Sequence, residues 1–237
     1  MFPLYDNIPS QRTPWMNYLI ILACVVVFVN QLSLPHLGDA LAFRPAYVLT
    51  QQGLSQGPLP ILQAALATMF MHGSLFHLLF NLWFLWIFGD NVEDRMGHFP
   101  YLIFYLLCGL LATAAHVAVV SLGLDPRALT IPMVGASGAI AGVLGAYYRL
   151  FPRASVRSLI FIFFFITLLD VPAVLFILIW FLLQLASGLG GWGTASGVAV
   201  WAHVGGFLAG AILVGFFARS RRAPPLPPPR IVHMRWE

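Results

Sequence analysis

The sequence predicts an all-α, polytopic membrane protein built as a bundle of six transmembrane helices. Three observations carry this. Of 237 residues, 60% are hydrophobic and only 8% are charged, far from the balance of a soluble domain. The apolar residues fall into successive near-uncharged runs of about 20, the length that crosses a bilayer. The basic residues are all arginine, and they fall almost entirely on one side of those runs.

Residues 1–15 read as a short polar N-terminus with Arg12, lacking the basic amphipathic character of an organelle transit peptide. Residues 16–33 are the first span. That run is long for a signal-peptide core and has no cleavage site, so it is expected to stay in the mature protein. Residues 34–73 carry Pro35, Pro45, Pro58 and Pro60, with Asp39 and Arg44 as their charges. Too broken to span and too apolar for an aqueous loop, they read as an interfacial outer segment with a short helix near 61–71. His72-Gly73-Ser74 is a break followed by an N-cap. Ser74 opens the second span, which runs to about Gly89, with the helix continuing toward Arg95.

The third span covers about 99–122. A loop with Asp125, Arg127 and Pro132 leads into the fourth, about 133–150. Residues 158–187 are almost continuously apolar but interrupted by Asp170 and Pro172. Two crossings there would leave each piece near or below the ~17-residue lower limit. Ile160–Leu168 is therefore read as a dipping connection, and Asp170 as the N-cap of a single fifth span near 171–187. The sixth covers 197–218. The membrane domain is thus 16–218, and 219–237 is a basic, proline-rich tail expected to be extended and disordered. That tail is also the segment a cytoplasmic partner would bind.

With six spans both termini share one side. That side holds Arg12, Arg95, Arg149, Arg153, Arg157 and the five tail arginines, against Arg44 and Arg127 opposite. The asymmetry predicts cytoplasmic termini. Cys24 and Cys108 lie inside apolar runs without disulfide or metal spacing. No nucleic-acid partner is expected; the lipid bilayer is the expected surrounding.

The candidate site centres on Gly135-Ala136-Ser137-Gly138. Small residues at four-residue spacing let membrane helices approach closely, and packing alone accounts for such a stretch. The argument for a nucleophile is depth. Counting back from Arg149 at 1.5 Å per residue puts Ser137 ~18 Å above the inner boundary. His203 lies ~24 Å above Arg219 by the same rise, and His77 and Asn81 occupy the outer half of the second span. Polar groups from three helices thus converge in the outer leaflet, where they are costly and are functional candidates by default.

Gly206 and Gly210 share the face of His203, and Gly138 and Gly142 follow Ser137. Glycine faces on the fourth and sixth spans predict a close approach that brings the imidazole to Ser137. His77 and Asn81, four residues apart, share a face and both donate hydrogen bonds. His116 lacks comparable partners, Asp170 sits at the wrong end to orient His203, and Asp39 and Asp125 show no spacing signal. The expected unit is a Ser–His dyad. No metal or other cofactor is expected, since His72 and His77 have neither the spacing nor the glutamate of a zinc motif.

His77-x-x-x-Asn81, Gly135-x-Ser137-Gly138 and Ala202-His203-x-x-Gly206-x-x-x-Gly210 together resemble the signature of the rhomboid family of intramembrane serine proteases. Glu93-Asp94-Arg95-Met96-Gly97 resembles that family's Glu-x-Arg loop motif. The resemblance implies a six-helix rhomboid core with Ser137 as nucleophile and His203 as general base and acid. It also implies an oxyanion hole from the Ser137 N–H with His77 and Asn81. Substrates would be other transmembrane proteins, cut in or near the outer end of their helices, often after a small residue. A bacterial inner (plasma) membrane is the expected location, with the active site facing outward.

Two positions depart from the family pattern. Ala141 stands where many bacterial relatives have a tyrosine that stacks on the histidine, and Gln63-Ala64 where many have a Trp-Arg pair. A rhomboid-like protein that binds transmembrane clients without cutting them is the alternative reading, though such relatives typically lack the serine or the histidine. A small transporter is a third; the sequence shows none of the internal repeats transporters often carry.

Overall fold

The computed structural model describes residues 1–123, 126–162, 165–190 and 199–218. Among these, four helices are long and apolar enough to cross a membrane. They are α1 (Trp15–Ser33), α6 (Leu75–Met96), α7 (His98–Ser121) and α10 (Val200–Phe217). Two shorter helices complete the bundle, α8 (Ser137–Leu150) and α9 (Ala173–Leu189). Leu22, Val26, Val29, Phe76, Leu183, Ile212 and Phe216 are exposed apolar side chains on outer helix faces. In water such surface would demand a partner; in a bilayer it is the ordinary lipid-facing side. The chain is an integral membrane protein of helical class.

The six expected crossings correspond in position to α1, α6, α7, α8, α9 and α10. The fourth starts later than expected: residues 133–136 are not helical, and α8 begins at Ser137. Fourteen residues rise only ~21 Å, less than the ~30 Å hydrocarbon core. α8 tolerates this because Ala139 through Tyr147 are all buried in protein. Irregular backbone at membrane depth is allowed where protein or a water-lined cavity surrounds it.

The outer segment breaks into α2 (Pro35–Leu41), α3 (Ala46–Leu49), α4 (Gln51–Leu54) and α5 (Pro58–Ala67). Its prolines set these starts: Pro35 and Pro58 open α2 and α5, where a missing N–H costs nothing. Gln63 is exposed on α5 and Ala64 buried.

The largest correction concerns 155–172. The expected dipping connection is a β-hairpin, β2 (Ser155–Ile162) paired antiparallel with β3 (Phe165–Pro172). Asp170 does not cap a helix; it pairs across the strands with Arg157 at 2.8 Å, and Pro172 precedes α9. The N-terminus is likewise more than a polar lead-in. β1 (Phe2–Asp6) adds to β2 as the outer strand of a three-stranded sheet, with Tyr5 opposite Arg157 and Asp6 opposite Val156.

Side chains fasten this sheet to the bundle. Trp83 Nε1–H donates to the Pro3 carbonyl at 2.7 Å, and the Phe2 ring stacks on Trp83. Asp6 accepts from Tyr147 of α8 and from Asn91 of α6. Burial pushes the Asp6 carboxyl up to about 7, against the pull of the Tyr147 hydroxyl, with Asp90 adding to the rise.

Glu93 and Arg95 lie in the last turn of α6 rather than in a loop. Glu93 is 1% exposed and accepts the first-turn N–H groups of α1, from Met16 at 3.0 Å and Asn17 at 2.7 Å. A carboxylate there satisfies donors that have no partner within the helix. Arg95 lies over the Phe151 ring at 5.7 Å, just past the end of α8. This pair fastens α1 and α8 to α6, far from Ser137. The expected proline-rich tail and Asp125 fall outside the described residues.

Candidate active site

Three helices bring their N-terminal turns together at one end of the bundle. His77 is in the first turn of α6, Ser137 is the first residue of α8, and His203 is in the first turn of α10. Ser137 Oγ lies 2.7 Å from His203 Nε2. The imidazole is 9% exposed.

Glycines make this distance possible. A side chain at Gly206 would collide with the backbone carbonyl of Gly138, and one at Gly210 with that of Gly142. The two helices therefore touch backbone to backbone, as a small-residue face permits. Gly138 and Gly142 in turn leave room for Ala112 and Cys108 of α7.

Gly135 solves a different problem. Its φ of +126° is a conformation that L side chains rarely adopt. A Cβ there would also lie 2.7 Å from His77 Cε1 and 3.6 Å from Asn81 Nδ2. The bare backbone thus lets both side chains come against the turn that delivers Ser137. That turn is pinned from outside: Gly135 N–H donates to Thr68 O at 2.9 Å and Met133 N–H to Phe43 O at 2.7 Å. Thr68 Oγ1 donates to the Met133 carbonyl.

Ser74 caps α6 as the sequence implies, its hydroxyl accepting from His77 N–H at 3.1 Å. Asn81 is 7% exposed, and its Nδ2 has no acceptor among the described residues. A buried donor without an acceptor costs free energy. Ser137 N–H opens α8 with no intrahelical acceptor behind it, at the positive end of the helix dipole. A cleft of about 30 Å³ opens beside Ser137 between Thr68, Gly109, Ala112, Thr113 and Met133. Its size suits one or two waters or a methyl-sized group.

The structure therefore gathers Ser137, His203, His77 and Asn81 around one turn, lays Gly138, Gly142, Gly206 and Gly210 where backbones meet, and puts Gly135 where the side chains of His77 and Asn81 come against the backbone. It does not bring Glu93 or Arg95 there. Three participants escaped the sequence reading. Gln184 of α9 puts Oε1 2.8 Å from His203 Nδ1. Trp180, one turn earlier, packs its ring 6.0 Å from the imidazole. His72, read as a break and set aside as a zinc ligand, is buried with its ring edge-on to His77 at 5.3 Å. Gln184 did carry a signal, as the sole amide in the apolar run of α9.

Residues 62–220 match the Rhomboid domain family model. Rhomboid protein 1, mitochondrial, of Saccharomyces cerevisiae is 28% identical over 145 residues, 60% of this chain and 39% of that protein. Presenilin-associated rhomboid-like protein, mitochondrial, is 34% identical in Bos taurus and 33% in Homo sapiens. Those matches cover 89 residues, 37% of this chain and 22% of each relative. The chain thus spans well under half the length of the curated relatives it matches. Their names place them in mitochondria, which does not fit the expected bacterial inner membrane.

Proposed function

Because the chain belongs to the rhomboid family, we propose that it is an intramembrane serine endopeptidase acting on transmembrane segments of other membrane proteins. The observation that carries the reading is the 2.7 Å contact between Ser137 Oγ and His203 Nε2. It lies within the 2.6–3.2 Å reach over which a base activates a serine.

The chemistry follows from these positions. Neutral His203 takes the Ser137 proton at Nε2 as Oγ attacks the scissile carbonyl carbon. The oxyanion forms against the Ser137 N–H, with Asn81 Nδ2 and His77 as further donors. Preorganised donors in a low-dielectric site stabilise that charge strongly. His203 then protonates the leaving amine, and a water attacks the acyl-enzyme with the same imidazole as base. The cleft beside Ser137 suits a small side chain next to the cut bond and admits water. Ten arginines on the side of the termini orient the site toward the opposite face.

The test compares wild type, Ser137→Ala and His203→Ala in liposomes with a panel of labelled single-span substrates. Both variants should keep the thermal unfolding profile and lose cleavage by at least about 10³-fold. Cleavage that survives Ser137→Ala would refute the mechanism. If wild type cleaves nothing, labelling of Ser137 by a fluorophosphonate separates an idle protease from a client-binding protein.

A further inference from the structure

We propose that Gln184 is a positioning residue for the proposed base: its side-chain carbonyl holds the His203 proton on Nδ1, leaving Nε2 free to accept from Ser137. This rests on the protease reading for its catalytic consequence, but the proton's position is a property of the protein alone.

The geometry is one line of three groups from three helices. Gln184 Oε1 on α9, the imidazole on α10 and Ser137 Oγ on α8 lie in series at 2.8 Å and 2.7 Å. A neutral imidazole carries one N–H, so the two contacts cannot both be donated by the ring. The amide oxygen accepts only. Facing Nδ1, it requires the proton there, which makes Nε2 the acceptor for the serine hydroxyl. The opposite rotation of the amide would present N–H to Nδ1 and drive the proton onto Nε2. The ring would then donate to Ser137 and be useless as its base.

Burial makes the choice matter. His203 is 9% exposed, so water competes poorly for Nδ1, and an unpaired buried N–H is costly. When Nε2 takes the serine proton, the imidazolium charge is carried partly at Nδ1–H, and the amide carbonyl dipole faces it. No carboxylate lies on α9 or α10. The other ionisable side chains acting on the ring are His77 on α6 and His116 on α7, neither of which can supply a negative charge. Trp180, four residues before Gln184 and on the same face of α9, packs against the imidazole and limits its rotation.

The test uses the full-length protein with Gln184→Met, which keeps length but not the strong acceptor, and Gln184→Glu, which can only accept. The first readout is independent of activity: NMR of isotope-labelled histidines, with the His203 signals identified by their loss in His203→Ala. Wild type should show His203 protonated at Nδ1 when neutral, and Gln184→Met should lose that preference. Finding Nε2–H in wild type, or no change in Gln184→Met, overturns the proposal even if proteolysis is never observed.

The second readout is cleavage. Gln184→Met should lower kcat about 10- to 100-fold with KM altered less than about twofold. Gln184→Glu should restore kcat near neutral pH and move the acid limb of the profile up by about one pH unit. A purely structural role would instead lower thermal stability in both variants and leave the acid limb where it is, and that result also overturns the proposal.

Discussion

At its Ser137 end α8 meets α10 through bare backbone, across Gly138 and Gly206. At its Tyr147 end it is tied by a side-chain hydrogen bond to Asp6 of β1, which also accepts from Asn91 of α6. The first arrangement positions polar groups while leaving some of their bonding capacity unused, as with Asn81 Nδ2. The second uses Asp6 to join three elements. On the proposed function, one end of a single helix serves the reacting groups, and the other holds the bundle together. Function and stability should separate along α8, and mutations can test that.

Among the variants that separate the two ends, the largest effect is expected from Asn81→Ala. It removes a donor that has no acceptor among the described residues, so kcat should fall about 10²- to 10³-fold while the unfolding temperature holds. A matched loss of stability would instead make Asn81 a packing residue. Gly210→Val comes next and should affect both properties. Its side chain meets the Gly142 backbone, and overpacking of this kind costs about 1–3 kcal/mol. Pushing α10 from α8 also lengthens the Ser137–His203 contact, so denaturation and cleavage assays should decline together.

The smallest and most selective effect belongs to the inner end. Asp6 titrates at 3.8 as an ordinary aspartate and at about 7 when folded. Between those values the native state holds more protons than the unfolded one, so stability falls as pH rises through that window. Below it the contribution is fully present, and above about 7 it is lost. Asp6→Asn should remove this part of the pH slope in thermal unfolding and leave cleavage unchanged at fixed pH. A cleavage change as large as that of Asn81→Ala would mean the two ends are not separable.

How much of this was legible in the sequence depended on contrast. A serine between glycines, and a histidine and an asparagine inside apolar spans, stand out because polar groups are expensive there. Depth counted from the arginines was enough to group them. Gln184 stands out by the same rule, but it is a neutral amide, whereas the orienting group of a catalytic histidine is usually a carboxylate. The hairpin at 155–172 had no such contrast. Its Phe-, Ile- and Leu-rich run is equally a buried strand or a piece of a spanning helix. In the structure β2 pairs with β3 along its whole length and with residues 2–6 along its other edge, and no local pattern announces that second partner so far away. The start of α8 at Ser137, rather than four residues earlier, was hidden for a related reason. Gly135 must turn away from helix to admit His77, a requirement set by another helix.

That distant pairing also gives the molecule an order in time. β1 precedes α1, yet its Asp6 closes onto Tyr147, 141 residues later. Closing so long a loop is entropically expensive until the intervening helices have shortened the path. β1 precedes the described helices in the chain, and on this entropic argument it docks late, onto helices that have already packed.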